Sequence, residues 1–451
     1  MKFYLALLAL AVAPVGLFAA DVSGVWNAAF DTQIGPQKYT YTLKQDGTAL
    51  SGKATADIAG EKNESVITDG KVDGDHVSFT EKLTYQGNDL TITYAGTVKD
   101  DEMKLTRQVG EFATEELVAT REKPSAAADA AAPGVRIPIH DPVMARENGR
   151  YYIFATGWGI AAWSSPDMNH WQHENPVFAH PPAWAVEAVP GFKGMIWAPD
   201  ISFHHGKYYL YYAVSAFGKN TSCIGVATNV TLDPADPRFK WEDHGKVIES
   251  YPGETNWNAI DPNLVMDDQG TPYLVFGSFW DGIKLAKMNP DLLTVAQDPA
   301  TLPTIASRKT DPSAPNPPAP AGNPVEAGGN AIEAPFIFKH DGYYYLFASI
   351  DYCCRGPKST YKMIVGRAKA VTGPYVDKTG APLARDGGTL LLKGDAHWYA
   401  VGHCGVYDFD GTDYIIFHAY DATDQGKPKL RLDKLSWDAE GWPVVEVPAG
   451  E

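Results

Sequence analysis

The sequence predicts an all-β protein, in which a small antiparallel β-barrel precedes a five-bladed β-propeller. The 451 residues include 42 glycines, 33 prolines, 23 tyrosines and 12 tryptophans, a turn-rich and aromatic-rich composition that suits many short strands. After an apolar leader, about a hundred residues alternate polar and apolar side chains with period two. Beyond them, a turn glycine followed by an aromatic-rich strand recurs five times, as expected of a repeat architecture.

The leader, residues 1–20, has one lysine, an apolar stretch and small residues before Asp21, which is the layout of an export signal. We expect cleavage near Ala20 and a secreted or periplasmic protein that has no membrane contact afterwards. A membrane anchor or a buried first helix is the alternative, for which the apolar run is short. The net charge of −17 repels phosphate backbones, so nucleic acid is not an expected partner.

Residues 21–122 are predicted to form the barrel. Alternating segments such as YTYTLK and turn signals such as Asp46-Gly47 and Asp73-Gly74 indicate about eight short strands, whose closure would remove exposed edges. The opening GVW resembles lipocalin-like barrels. We expect an accessory or substrate-tethering domain; a barrel with a small ligand of its own is the alternative. The alanine- and proline-rich residues 123–133 then predict a linker, and residues 134–451 the propeller.

The propeller prediction depends on the repeated phrase, which includes GRYYIFATG, GKYYLYYAV and GYYYLFASI. Its glycines are spaced by 57, 64, 72 and 69 residues, which is enough chain for about four strands per unit and therefore for five blades. The five glycines are Gly149, Gly206, Gly270, Gly342 and Gly411.

An ionisable residue precedes each glycine by six to nine positions. These residues are Asp141, Asp200, Asp261, Glu333 and His403. Because this stretch forms the innermost strand of a blade, equivalent positions are expected to converge on the central channel. A lone acid usually has a turn or capping role, but several carboxylates in one small space raise the pKa of at least one of them. A protonated acid beside an ionised one is the requirement of glycoside hydrolysis, and the aromatic content suits sugar stacking.

The motifs HDPV, WAPDI, NAIDPN, IEAPF and SAFGKNTS, together with five blades, resemble glycoside hydrolase family 43 and most closely its endo-1,5-α-L-arabinanases. The resemblance covers about residues 138–446 and omits the barrel. It implies that Asp141 is the general base, that Glu333 is the general acid and that Asp261 orients Glu333 and tunes its pKa. It also implies inversion at the anomeric carbon, for which we expect the Asp141 and Glu333 carboxyl groups to lie about 6.5 to 9.5 Å apart.

Other positions follow from the same resemblance. Trp197 and Phe217 are candidates for flanking the sugar subsites, and Asp200 for a structural or substrate-shaping role at the cleft. His403 is implied to reach an axial calcium ion whose shell is completed mostly by water. Arg355 is a candidate for facing the cleft, next to a Cys353-Cys354 doublet that is typical of arabinanases.

Local reasoning about the four cysteines favours small buried hydrophobic side chains, and Cys404 is expected to point away from the channel. Residues 311–324, with six prolines, predict an extended loop. This loop is either a wall of the substrate cleft or a tolerated surface insertion.

The sequence therefore predicts a monomeric, inverting endo-arabinanase that acts on linear arabinan. Exo-acting arabinofuranosidases and xylosidase-like propellers are the alternatives within the enzyme class. A non-catalytic glycan-binding propeller is the alternative outside it. Such a binding module commonly lacks one of the acids, whereas Asp141, Asp261 and Glu333 are all present here.

Overall fold

The computed structural model describes residues 22–32, 35–58, 61–85, 88–110, 113–121, 137–192, 194–314 and 329–446. The expected signal peptide and linker, and residues 315–324 of the proline-rich segment, lie outside this part of the chain. By their internal contacts the residues divide into two compact units, Met1–Ala131 and Ala132–Glu451. No helix within the described residues is long and apolar enough to cross a membrane.

The first unit is a closed barrel of eight antiparallel strands in sequential order. The strands are β1 (Gly24–Thr32), β2 (Gly35–Asp46), β3 (Ala49–Ile58), β4 (Glu61–Asp73), β5 (His76–Tyr85), β6 (Asn88–Lys99), β7 (Glu102–Val109) and β8 (Ala113–Arg121). Pairing of β1 with β8 closes the ring, with Trp26 opposite Arg121. The guanidinium of Arg121 lies 4.3 Å from the Trp26 ring centroid, so a cation–π contact reinforces the closure.

The interior of the barrel is aromatic and also charged. Alternation along the strands buries Tyr41 and Tyr94 inside, with ring centroids 5.7 Å apart. Glu81 is fully buried and accepts hydrogen bonds from Tyr94 Oη and Ser65 Oγ, each at 2.6 Å. The sequence reading did not anticipate this buried carboxylate. Its donors bond both oxygens, which is what a buried polar group requires.

The second unit is a ring of five antiparallel sheets, the five-bladed propeller that the repeats predict. Blade 1 comprises β9 (Val143–Glu147), β10 (Arg150–Ala155), β12 (Ala161–Ser165) and β13 (Gln172–Glu174). Blade 2 comprises β11 (Gly157–Trp158), β14 (Met195–His204), β15 (Lys207–Val214), β16 (Ser222–Asn229) and β17 (Glu242–Ser250). Blade 3 comprises β18 (Asn263–Met266), β19 (Pro272–Phe276), β20 (Ile283–Lys287) and β21 (Thr304–Ala306).

The last two blades and the short helices complete this unit. Blade 4 comprises β22 (Ile332–His340), β23 (Tyr343–Ile350), β24 (Lys362–Ala368) and β25 (Thr389–Lys393). Blade 5 comprises β26 (Trp398–Phe409), β27 (Thr412–Asp421), β28 (Lys427–Trp437) and β29 (Pro443–Glu446). The helical segments are α1 (Ala183–Ala188) and the 3₁₀ turns Pro299–Thr301, Gly356–Lys358 and Leu383–Arg385.

The repeated glycines form the turn between the first two strands of each blade. Their φ angles lie between 71° and 81°, in the left-handed region that glycine adopts without steric cost. A Cβ atom built on any of the five meets nothing within 4 Å, so the backbone angle and not crowding requires glycine there. Apolar clusters fill the space between blades, for example Tyr211 and Ile224 of blade 2 against Leu274 of blade 3. This packing fixes the innermost strands around the axis.

Candidate active site

A cleft of about 800 Å³ lies where the innermost strands begin. All five blades contribute to its walls, including His140, Asp141, Thr156, Trp197, Phe217, Asp261, Ser278, Glu333, Cys354, His403 and Tyr420. The structure thus brings the three predicted catalytic carboxylates and His403 together. They come from four different blades, so only the closed ring assembles them.

In or just before each innermost strand one residue near the cleft has a positive φ angle. These residues are Asp141 (54°), Ala198 (39°), Asp261 (56°), Ala334 (54°) and His403 (57°). Non-glycine residues seldom adopt this conformation, and where they do it often marks a functional site. In blade 2 the position falls on Ala198, two residues before Asp200. The five ionisable residues counted from the glycines are therefore not all equivalent.

Asp141 is buried among histidines. Its Oδ1 lies 2.7 Å from His140 Nδ1 and 3.0 Å from His403 Nδ1. Its Oδ2 accepts a hydrogen bond of 2.5 Å from Thr156 Oγ1. Burial alone would raise the pKa of Asp141, but the positive charge of His140 and His403 outweighs it and holds the pKa well below the usual value of 3.8. Asp141 is therefore ionised at neutral pH.

His140 and His418 form the support behind Asp141. Their rings stack with centroids 3.9 Å apart, and the Asp141 backbone N–H donates to His418 Nδ1 at 3.1 Å. Tyr420 Oη lies 3.0 Å from His140 Nε2. The sequence reading missed these residues. His140 adjoins Asp141 in the HDPV motif and was detectable, but His418 lies on β27, opposite Gly402, where only the strand register identifies it.

Glu333 has the opposite electrostatic environment. It is buried, and its Oε2 accepts a hydrogen bond of 2.7 Å from Ser278 Oγ. Burial raises the pKa of Glu333, and the negative charge of Asp141 adds to this, so that together they outweigh the hydrogen bond from Ser278. Glu333 therefore keeps its proton to higher pH than an ordinary glutamate.

Asp261 orients the segment that carries Glu333. Its Oδ2 accepts a hydrogen bond of 3.0 Å from the backbone N–H of Ala334, the residue after the acid. Burial, together with the charges of Glu333 and Asp141, raises the pKa of Asp261 to about 8, against the lowering effect of His403. The cleft therefore holds one carboxyl group whose pKa is lowered, that of Asp141, and two whose pKa values are raised, those of Asp261 and Glu333. This is the arrangement that acid–base chemistry on a glycosidic bond requires.

Asp200 does not line the cleft, although it was predicted as a substrate-binding residue. Asp200 is 2% exposed and lines a separate cavity of about 320 Å³. Its carboxylate accepts hydrogen bonds from Asn263 Nδ2 at 3.0 Å and from the Leu264 N–H at 2.8 Å. The register shift between Trp197 and Asp200 matches the one between Glu333 and Phe336, so Trp197 occupies the position of Glu333 and Asp200 that of Phe336. Asp200 therefore joins blades 2 and 3, in line with the structural alternative.

The remaining substrate candidates separate into two groups. Trp197 and Phe217 line the cleft, and Phe217 is 70% exposed, as a sugar-stacking side chain would be. Arg355 is not among the cleft-lining residues, although its neighbours Cys354 and Gly356 are. Its guanidinium lies 4.3 Å from the ring centroid of Tyr352, which does line the cleft, so Arg355 contacts a wall residue without lining the cleft itself.

The cysteines differ from one another. Cys353 and Cys354 are bonded to each other and line the cleft, whereas they were expected to be buried thiols. Their adjacency makes the bond possible, and the sequence alone had left the redox state of this pair open. Cys223 and Cys404 are free and buried, as expected. Cys404 packs in the apolar cluster between blades 4 and 5.

The acidic residues around His403 suit the charge of a calcium ion, but they do not supply the set of ligands that calcium prefers. Calcium prefers six to eight oxygen ligands, and neither of the two groups of potential ligands in the described chain includes His403. Although burial opposes it, the charge of Asp141 raises the pKa of His403 to about 9, so the imidazolium itself balances the acids. A protein-built calcium cage at His403 therefore does not fit. The form of this calcium site that remains is a hydrated ion that contacts one imidazole, that of His403.

Comparison with known proteins identifies the family. Residues 132–443 match the family model of the glycosyl hydrolases family 43. The chain belongs to glycosyl hydrolase family 43. It is 48% identical over 311 residues to the extracellular exo-α-(1→5)-L-arabinofuranosidase ArbA of Cellvibrio japonicus, covering 69% of this chain and 87% of the relative.

Two further family 43 proteins are similar. The extracellular endo-α-(1→5)-L-arabinanase 1 of Bacillus subtilis is 39% identical, with 68% of this chain and 87% of the relative covered. The crystal structure of Cellvibrio cellulosa α-L-arabinanase complexed with arabinohexaose matches with a TM-score of 0.64 and 48% identity, covering 69% of this chain and 96% of that one. The matched share corresponds to the propeller, so the barrel lies outside these family 43 matches.

Proposed function

We propose that the protein hydrolyses α-1,5-L-arabinofuranosidic bonds of linear arabinan with inversion. The observation that carries this proposal is that Asp141 and Glu333 line one cleft in surroundings that shift their pKa values in opposite directions, downward for Asp141 and upward for Glu333. The substrate is inferred from the family 43 relatives, whose names specify α-(1→5)-linked arabinan chemistry.

In the proposed mechanism, Glu333 donates its proton to the leaving glycosidic oxygen. Asp141 accepts a proton from a water molecule, which attacks the anomeric carbon from the opposite face. Asp261 fixes the backbone next to Glu333, and its own proton lessens the repulsion between the acids. The water needs room between base and acid, which is the reason for the expected carboxyl separation of about 6.5 to 9.5 Å.

Two modes of attack are compatible with this chemistry. We propose cleavage of internal bonds, which is supported by a cleft of about 800 Å³ that all five blades line and that has room for several sugar units. The second candidate is exo action, favoured by the 48% identity to a relative that is named an exo-arabinofuranosidase. A non-catalytic binding role is disfavoured because all three carboxylates are present and face the cleft.

The deciding experiment is a time course of products from debranched linear arabinan, with arabinoxylan and an aryl arabinoside as comparison substrates. Early mixed oligosaccharides indicate internal cleavage, whereas a single product from the first time point indicates exo action. Proton NMR of the first product reports its anomeric configuration, and a β-anomer supports inversion. Absence of turnover on all three substrates would refute the proposed activity.

We further propose export and a hydrated calcium ion. Export is supported by the residue pattern of positions 1–20 and by relatives that are named extracellular. N-terminal sequencing of the protein from culture supernatant or periplasm tests cleavage near Ala20. The ion, if bound at His403, supplies positive charge among the acids. A monomer is expected, and light scattering measures it.

A further inference from the structure

An exposed aromatic side chain stands beside the cleft and has no role in the chemistry described above. Trp158 is 62% exposed and is the only tryptophan among the exposed large hydrophobic side chains of the described residues. It lies on β11, a two-residue strand that pairs with β14 so that Trp158 is opposite Met195. Met195 is itself 41% exposed. An exposed apolar pair of this kind is characteristic of a contact surface.

The indole of Trp158 rests on a glycine. A Cβ atom built on Gly194 would lie 3.0 Å from Trp158 Cζ3 and 2.8 Å from Pro181 Cγ. Gly194 has φ 102°, a conformation that side chains rarely adopt, so both the backbone and the close approach of the ring require glycine. The Gly159 N–H donates to the Gly194 carbonyl at 3.2 Å and joins the two segments beneath the ring. The local chain therefore holds the indole in place.

This surface is continuous with the cleft. Met195 is a cleft-lining residue, as are Trp197, on the same strand, and Phe217. Thr156, two residues before Trp158, donates the hydrogen bond to Asp141 Oδ2. Two residues of chain span at most about 7 Å, so Trp158 lies close to the wall that holds the base. A sugar chain leaving the cleft over blade 2 would pass this surface.

We propose that Trp158, supported by Gly194 and Met195, is an outer sugar-binding platform for an arabinan chain that extends beyond the cleft. The indole offers its apolar face to the C–H groups of a furanose ring, in the same way as other exposed aromatic side chains bind sugars. The platform contributes affinity for long chains and takes no part in bond cleavage. This inference rests on the proposed arabinan hydrolysis.

The test compares the parent with Trp158→Ala, Trp158→Tyr and Phe203→Ala. Phe203 is the matched control, because it is 55% exposed and lines the separate 320 Å³ cavity. For each protein, kcat and KM are measured on linear arabinan and on arabinotriose. We expect Trp158→Ala to raise KM on arabinan about tenfold, the loss of roughly one stacking contact, with kcat unchanged. Arabinotriose turnover stays at the parental value, Trp158→Tyr restores most of the loss, and Phe203→Ala matches the parent.

Each contrary result has a distinct meaning. If Trp158→Ala matches the parent on arabinan, the platform does not exist. If the Trp158→Ala variant loses the same fraction of its activity on arabinan and on arabinotriose, Trp158 acts at the cleaved bond and the inference is wrong. If it changes the molecular mass measured by light scattering but not the kinetics on arabinan, the surface binds a second copy of the chain instead. If the parent itself hydrolyses neither substrate, the proposed function has failed before the platform is in question.

Discussion

Two histidines that contact Asp141 carry different charges, and the difference depends on their surroundings. His403 lies among three carboxyl groups, which raise its pKa to about 9 against the effect of burial. Burial and the nearby His140 instead lower the pKa of His418 well below its usual value, so His418 stays neutral and accepts the Asp141 N–H. The His403 imidazolium therefore stabilises the negative charge of Asp141, and the neutral His418 ring fixes the Asp141 backbone.

The acid role of Glu333 predicts the effect of one substitution. Glu333→Gln removes the proton donor while keeping the Ser278 contact possible, and we expect kcat/KM on arabinan to fall about 10²- to 10⁴-fold. An aryl arabinoside with a good leaving group should lose less, since its departure needs no proton. Glu187→Gln, on the exposed face of α1, is the matched control and should retain parental rates. Activity within a few-fold of the parent would refute the assignment.

The pKa directions predict the shape of the pH profile. The base must be ionised, and because the pKa of Asp141 is held below 3.8, the acid limb of kcat/KM should lie below that value. The acid must be protonated, and because the pKa of Glu333 is raised above 4.5, activity should persist above that pH and fall only on the alkaline side. Steady-state kinetics across the pH range measure both limbs. An acid limb above 3.8 would contradict the lowered pKa of Asp141.

At the scale of the strand, bulges decide which side chains reach the axis. Register shifts interrupt β14 after Trp197, β22 after Glu333 and β26 after Gly402. A bulge gives one strand an extra residue and re-aims the side chains next to it. In blades 2 and 4 the shift begins at equivalent positions, so Trp197 and Glu333 line the cleft, whereas Asp200 and Phe336, which follow the shift, do not.

One hydroxyl joins the first two blades at the site. Thr156 Oγ1 donates to Asp141 and accepts the Ala198 N–H at 2.8 Å. Thr156→Val keeps the shape and removes both bonds, which leaves the buried Ala198 amide unpaired at a cost of about 1–3 kcal/mol. We expect a lower Tm and about a tenfold lower kcat.

Thr228→Val is the matched control for this substitution. Thr228 is buried and bonds His244, outside the cleft. Loss of the hydrogen bond between Thr228 and His244 should lower Tm without changing kcat, as measured by thermal unfolding and initial rates. If the two variants had the same kcat, the Thr156 bond would have no part in positioning the base.

Features that depend on local rules could be predicted from the sequence, whereas features that depend on the register between strands could not. The turn glycines require a positive φ whatever surrounds them, so Gly149 and its four equivalents indicated the blades directly. Asp200, however, lies six residues before its glycine and Glu333 nine, and the strand register aligns Trp197, also nine residues before its glycine, with Glu333. His418 belongs to the site only through cross-strand pairing with Gly402, a relation that no local pattern contains.

At the scale of the molecule, the two units differ in where they bury charge. The barrel encloses Glu81 and an Arg107–Glu115 ion pair that Tyr94 and Tyr39 support. These charges are internally hydrogen-bonded. In the propeller, Asp141, Asp261 and Glu333 are buried at the cleft, whereas Asp200, Asp413, Asp421 and Asp433 are buried elsewhere. The acids proposed for catalysis are thus brought together by the ring of blades, within the family 43 part of the chain.

The proposed calcium ion gives a prediction for the whole propeller. If a hydrated ion shares the balancing of the acids with His403, dialysis against a chelator should lower kcat/KM several-fold, and added calcium should restore it. His403→Ala should abolish the response to calcium. Magnesium is the control ion, because its stricter octahedral geometry makes it a poor substitute. Full activity after chelation would indicate that the imidazolium balances the acids alone.

The state of the bond between Cys353 and Cys354 depends on the compartment in which the protein is produced. An exporting compartment oxidises adjacent thiols, whereas a reducing cytoplasm keeps them apart. One gene expressed in the two settings would yield two proteins that differ by two hydrogen atoms at the wall of the substrate cleft. Under denaturing conditions the first has two titratable thiols, Cys223 and Cys404, and the second has four. Rate constants from different expression hosts are therefore comparable only after the thiols of each sample have been counted.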